Sequence, residues 1–154
     1  MVYLYLVQHA EAKRKEEDPE RHITERGKEE TEKIAQFLAS KIKGEIEKII
    51  HSTKIRAKET AEIFAKYLEP PGGLHEEKDL EPLADPSIWA DRIKALNESI
   101  MIVGHLPYLS KLASLLLVGS PEKEIISFRY SGVLCLERTD DVWGIKWYVT
   151  PDMI

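Results

Sequence analysis

The sequence holds a single cysteine, Cys135. One cysteine excludes an internal disulfide and provides no thiolate framework for zinc. Its expected place is a small buried position in a strand. Metal binding by other ligands is disfavoured too. No histidine pair stands at helical spacing, and no histidine–carboxylate cluster has the spacing of a metal site. No apolar run approaches the length that crosses a membrane. The chain starts in an apolar segment, without the basic start and small-residue cleavage site of a signal peptide. Positive charge is in deficit. Lys and Arg number 22 against 27 Asp and Glu, a formal net charge of −5. A broad nucleic-acid-binding face needs the opposite balance; a local cationic pocket does not. The expectation is a soluble cytoplasmic protein with neither nucleic acid nor membrane as partner.

What is present reads as one globular domain over residues 1–154, with 43% hydrophobic and 32% charged residues. Val2 to Val7 is an uncharged run of β-branched, aromatic and leucine residues, the pattern of a strand buried on both faces of a parallel sheet. It ends on Gln8-His9. A mixed-charge loop follows from Glu11 to Arg21. Thr24 then has the character of a helix N-cap. Gly27, Thr31, Ile34, Ala35, Leu38 and Ile42 form the inner stripe of that helix, and Gly44 ends it.

A second strand, Ile46 to Ile50, ends on His51-Ser52. Its helix starts near Thr53 with Ser52 as cap, and has Ala57, Thr60, Ala61, Phe64, Ala65 and Leu68 inward. Pro70-Pro71-Gly72-Gly73 breaks it. Leu74 to Lys78 suits a short edge strand. Leu80 to Pro86 is a turn-rich loop. A helix to Asn97 follows, with Ile88, Trp89, Ile93 and Leu96 inward. Ser99 to Val103 is the next clean strand, closed by Gly104-His105-Leu106-Pro107, and a leucine-rich helix begins at the proline. Glu124–Glu137 and Trp143–Val149 read as a final pair of strands, the second with Trp143, Ile145, Trp147 and Val149 on one face. The alternation of strand and helix predicts an α/β fold, a three-layer α/β/α domain around a mostly parallel sheet.

In such sheets the strands' carboxyl ends lie on one side, and chemistry collects there. His9, His105 and Ser52 fall at three of these ends, with Arg56 in the first turn of the following helix. Arginine and helix N-termini supply the donors and positive charge that a phosphate needs. One histidine there can act as a nucleophile on phosphorus, and the second can stabilise charge on the transferring oxygens. His51, His75 and His22 are expected to be structural or loop residues.

These residues resemble the histidine phosphatase superfamily, with its phosphoglycerate-mutase-like fold. The family's Arg-His-Gly at the first strand end is matched by Gln8-His9-Ala10. Its Ser-x-x-x-Arg-Ala-x-x-Thr-Ala motif is matched by residues Ser52 to Ala61, and its later Gly/Ser-His by Gly104-His105. The short chain, the Arg21-His22-Ile23-Thr24-Glu25-Arg26-Gly27 segment, and Gly104-His105-Leu106-Pro107 resemble the SixA-type phosphohistidine phosphatases. So does the loop from Leu80 to Pro86. The resemblance implies that His9 is the phosphorylated nucleophile. It further implies that Arg56 and His105 hold the phosphoryl oxygens, with Arg21 as a further phosphate contact, and that no cofactor or metal takes part.

Two departures stand out. Gln8 occupies the place of the family's arginine, removing a charge and a two-pronged donor. Arg21 or a lysine of the 13–15 loop is the candidate replacement. Larger members also supply a carboxylic acid to the leaving alcohol. The candidate acids here, Glu81 and Asp85, lie in a loop where solvated carboxylates are ordinary. An imidazole leaving group is much easier to protonate than an alkoxide. The expectation is therefore a metal-independent phosphatase for phosphohistidine on a protein. The alternatives are a phosphomonoesterase for a small phosphorylated molecule or phosphoserine/threonine, and a catalytically weak phosphate- or phosphoprotein-binding relative.

Overall fold

A computed structural model describes residues 1–154. Its centre is a six-stranded sheet in the order β3-β2-β4-β1-β5-β6. The strands are β1 (Val2–Gln8), β2 (Lys48–His51), β3 (Leu74–Glu76), β4 (Ile100–Gly104), β5 (Val133–Thr139) and β6 (Val142–Val149). β3, β2, β4 and β1 pair in parallel, and β5 pairs antiparallel to both of its neighbours. Four helices flank the sheet: α1 (Glu25–Ile42), α2 (Ile55–Leu68), α3 (Pro86–Lys94) and α4 (Tyr108–Val118). No helix is long and apolar enough to cross a membrane.

The central strands are apolar on both faces because helices cover both. Leu4 and Leu6 of β1, with Ile100 and Ile102 of β4, pack toward α3 and α4. Tyr5, Val7, Met101 and Val103 point the other way, toward α1 and α2. The six residues of the predicted α1 stripe are its six buried residues. Thr24 caps the helix, its hydroxyl accepting from Gly27 N–H at 2.9 Å. Gly44 follows the helix end at φ +94°, where a side chain would be strained.

Local pattern reading failed in four places. Residues 124–132 form no strand; β5 begins at Val133. The Ile126, Phe128, Tyr130 alternation imitates one, but these backbone groups find other partners. The Tyr148 hydroxyl accepts from Arg129 N–H and donates to the Ser127 carbonyl. In β6 the register shifts opposite Cys135 and Leu136, leaving Lys146 as an extra residue. This bulge puts Trp143 in one core and Trp147 against the other, so the tryptophans do not share a face. Helix α3 stops at Lys94, and Ile88 is 36% exposed while Trp89, Ala90 and Ile93 are buried. Helix α2 starts at Ile55 behind Lys54, so Ser52 is not its cap. Cys135 is buried as expected.

Strand pairing brings the site residues together. Gln8 is in register with Gly104, and His51 with Val103. The ladder continues one step beyond, with His9 N–H donating to Gly104 O at 2.9 Å and Ser52 N–H to Val103 O at 3.3 Å. The chain leaves β1 toward α1 on one face and leaves β4 toward α4 on the other. A crevice therefore opens between these neighbouring strand ends, as at other switch points of open α/β sheets.

Candidate active site

His9 and His105 face each other across that crevice, their ring centroids 5.1 Å apart. They are 6% and 1% exposed. The His9 Nδ1–H donates to the Ala10 carbonyl at 2.7 Å. A carbonyl can only accept, so in the neutral ring the lone pair is on Nε2. The strand end is braced from α2: Ala10 N–H donates to Thr60 Oγ1 at 2.8 Å, and that hydroxyl donates to Arg56 O. From the other side, Ser131 N–H donates to Gln8 O at 2.9 Å. Ser131 Oγ meets Thr31 Oγ1 of α1 at 2.6 Å, in a buried hydroxyl pair.

His105 is held by Ser52, whose Oγ lies 2.5 Å from Nε2. That hydroxyl also accepts from Lys54 N–H at 3.3 Å. The Ser52 side chain thus orients the second histidine.

Charge at the site is uniformly positive. Burial, ahead of the Arg56 and Arg21 guanidinium groups, pushes His9 down to about 4. Burial again leads for His105, with repulsion from His9, Arg56, Lys54 and Arg21 adding to it, and its pKa falls to about 3. Both rings are neutral near pH 7 in the free protein. Arg56 is lowered from its ordinary value by burial and by the proximity of Arg21. Arg21 and Lys54, rather than the exposed Lys13 and Lys15, bring the additional positive charge.

Three buried polar atoms here have no partner: Gln8 Oε1, Arg56 Nε and His105 Nδ1. An unsatisfied buried group costs about 1–3 kcal/mol, and three on adjoining elements mark a place built for a polar ligand.

Neither candidate acid hydrogen-bonds a histidine of the site. Asp85 is exposed and caps α3, its Oδ1 accepting from Ser87 N–H at 2.9 Å. That contact holds its carboxyl below the usual range, which makes it a poor proton donor. Glu81 and Asp85 act electrostatically on Tyr108, the first residue of α4; the charges acting on His9 are Arg56 and Arg21. His51 is buried, with Nδ1–H donating to Ser52 O at 2.8 Å, and has the structural place expected of it. No group of three or more His, Cys, Asp or Glu side chains is placed to hold a metal ion.

Sequence reading overlooked Tyr130, whose ring centroid is 5.7 Å from that of His9. It also missed Lys54, the hydroxyl pair Thr31–Ser131, and Ser52 as a partner of His105. Thr60 and Ser52 were visible at fixed offsets within one motif; Tyr130 and Ser131 sit in the segment mistaken for a strand.

Comparison with known proteins agrees with this geometry. No curated protein matches the sequence. Among solved structures, the protein histidine phosphatase SixA complexed with tungstate is similar over 99% of both chains, with a TM-score of 0.86 and 23% identity. A phosphoserine phosphatase from Entamoeba histolytica is similar over 98% of both chains, at 0.71 and 16%. A mycobacterial glucosyl-3-phosphoglycerate phosphatase aligns over 97% of this chain and all of its own (100%), at 0.75 and 11%. These likenesses establish a shared phosphoglycerate-mutase-like fold. The family model described as histidine phosphatase superfamily (branch 1) matches residues 4–81, the half that carries His9, Ser52, Arg56 and Thr60. With that match across the first strand end and the second helix, the chain belongs to the histidine phosphatase superfamily.

Proposed function

We propose that this protein is a metal-independent phosphohistidine phosphatase acting on a phosphorylated protein, with His9 as the nucleophile. The observation that carries the reading is the His9 side chain itself. Its Nδ1–H is committed to Ala10 O, its Nε2 is left with the lone pair, and the charges acting on it are the two cations Arg56 and Arg21.

In the first transfer, His9 Nε2 attacks phosphorus. The bond to the substrate nitrogen breaks, and its electron pair stays on the substrate imidazole, which takes up a proton. In the second, water attacks phospho-His9, the Nε2–P bond breaks, and inorganic phosphate leaves. Arg56 Nε lies free to donate to the transferring oxygens. Ser52 Oγ accepts from Lys54 N–H, and in this reading it gives its own hydrogen to His105 Nε2. The His105 proton is then on Nδ1, the buried atom without a partner, ready to donate to a phosphoryl oxygen. Arg21 adds a further positive charge.

A phosphoramidate suits this site because its leaving imidazole needs no strong, positioned acid, and one of the two loop carboxylates, Asp85, is engaged as a cap. An open cleft of about 550 Å³ runs alongside, between Leu106, Pro107, Ser110 and Lys111 and the 121–128 segment. It leaves room for polypeptide flanking a phosphorylated side chain. A cytoplasmic setting accords with a protein substrate of this kind.

Gln8 supports a second reading, a phosphate-binding relative with weak turnover. Both are tested by phosphate release from a histidine-phosphorylated protein and from a phosphoserine peptide, without metal, with His9→Ala beside the wild type. Release from phosphohistidine that vanishes in the variant is the expected result. Faster release from phosphoserine favours a phosphomonoesterase, and bound phosphate without release favours the binding relative.

A further inference from the structure

Arg21 reaches the site from a loop, and a loop does not hold a guanidinium by itself. Its backbone has φ +56°, a strained conformation for a side-chain-bearing residue. The strain is sustained by local hydrogen bonds. Asp18 O accepts from Arg21 N–H at 2.9 Å, and the Asp18 carboxylate accepts from Glu20 N–H at 3.2 Å and His22 N–H at 2.9 Å. Arg21 Nε–H donates to Lys13 O at 2.9 Å, which aims the guanidinium. These contacts shape the turn but tie it only to itself.

Backbone bonds from Lys13 N–H to His22 O at 2.9 Å and from Thr24 N–H to Glu11 O at 2.8 Å close the loop's base, and its tie to α2 is Glu59. One oxygen accepts from Ile23 N–H at 2.9 Å, and the other lies 3.1 Å from His22 Nδ1. His22 also faces Glu20, whose Oε2 is 3.8 Å from Nε2. Glu59 stands one turn after Arg56 on α2, so the two side chains are neighbours on that helix. A single helix thereby carries one arginine of the site and anchors the loop that carries the other.

We infer that Glu59 is a positioning residue: by gripping Ile23 N–H and the His22 ring, it sets Arg21 beside Arg56 so that both guanidinium groups meet the same phosphoryl group. This rests on the phosphate-site reading above. It gives the site a second arginine beside Arg56 from a loop that α2 holds, whatever residue stands at position 8.

The test is a double-mutant cycle read by inorganic phosphate binding, which requires no turnover. Glu59→Ala is expected to weaken phosphate by about tenfold, the scale of one charge-assisted contact, and Arg21→Ala by at least as much. The double variant is expected to bind phosphate as Arg21→Ala does, because Glu59 acts through Arg21. Glu59→Gln keeps an acceptor for Ile23 N–H and is expected to fall between wild type and Glu59→Ala. It also completes the cycle should the alanine variant fail to fold. Losses that multiply in the double variant overturn the inference, as does wild-type affinity in Glu59→Ala. A wild type that binds phosphate without releasing it from phosphohistidine defeats the catalytic reading alone and leaves the cycle intact. A wild type that binds no phosphate defeats both.

Discussion

His9 lies in a place that penalises its own charged form, and that sets its chemistry. A histidine nucleophile must be neutral, and an ordinary one begins to protonate near pH 6.5. Burial and two guanidinium groups push His9 to about 4, and His105 lies lower still, at about 3. Following the two imidazole rings by NMR is expected to show midpoints in that acid range. Adding phosphate is expected to move the His105 midpoint upward, because an anion replaces net repulsion by cations. The same displacement bears on folding. Between about pH 6.5 and the folded midpoints, the unfolded chain binds more protons than the native one, so stability rises with pH across that window. The contribution of the two histidines is complete above pH 6.5 and is lost as pH falls through about 4 and 3. Urea midpoints measured from pH 7 to pH 4 are expected to decline accordingly, and His9→Asn/His105→Asn should flatten the decline. Gln8 is the other decisive residue. Its Oε1 is buried without a partner. Gln8→Arg restores a charge-assisted donor worth roughly 1.5–3 kcal/mol, about one to two decades in kcat/KM for phosphohistidine. An unchanged or lower rate in that variant would mean that Arg21 already fills the place of the missing arginine.

The N-terminus of α1 shows how an element serves the site. Thr24 Oγ1 accepts from Gly27 N–H and donates to the Glu11 carboxylate at 2.7 Å, so one side chain both starts the helix and anchors the loop after His9. Gly27 lets the helix lie directly on that loop. A Cβ there would stand 2.4 Å from Glu11 O and 3.3 Å from the Ala10 methyl. The neighbour is backbone and cannot step aside. Gly27→Ala is therefore expected to destabilise the fold by about 1–3 kcal/mol and to lower turnover by displacing the Ala10 carbonyl that orients His9. Differential scanning calorimetry and kcat measure the two effects, and a stability loss with unchanged kcat would separate α1 from the nucleophile. Elements like α1 were legible because their evidence is local: a cap, a period of 3.6 and a terminal glycine lie within one stretch of chain. The 124–132 segment was not, because its alternation satisfies the period of a strand while its backbone partners come from Tyr148, far along the chain. The β6 bulge was invisible for the same reason, since register belongs to a pair of strands. His9, Arg56 and His105 were legible as strand-end and motif residues. The hold of Ser52 on His105 and the ring of Tyr130 beside His9 arise only when separate strand ends meet.

At the scale of the molecule, two cores of 18 and 16 buried residues sit on opposite faces of one sheet. The crevice between β1 and β4 is where those two layers meet at the sheet's end, so the site depends on both. A ligand held there by groups from β1, α2 and β4 stabilises the whole assembly and has no counterpart in the unfolded chain. Cys135 reports on this without an engineered probe. It lies on β5, in register with Tyr5 of β1 and Trp147 of β6, and is 1% exposed. Burial pushes its thiol up to about 12. The native thiol is thus both inaccessible and protonated, and a disulfide reagent can react only after opening. If that opening is global, phosphate slows labelling by the factor 1 + [phosphate]/Kd, about a hundredfold at a concentration of 100 Kd. The competing event is separation of β6 alone, which exposes Cys135 while β1, α2 and β4 stay in place and keep their ligand. Labelling would then ignore phosphate. The β5–β6 bulge weakens that pairing locally, but Trp147 and Val149 pack onto the α1–α2 core and the Tyr148 hydroxyl bonds the 127–129 segment. Peeling β6 away must break all of these at once. The expected outcome is therefore phosphate-dependent protection of Cys135, with a dependence that gives the same Kd as direct binding.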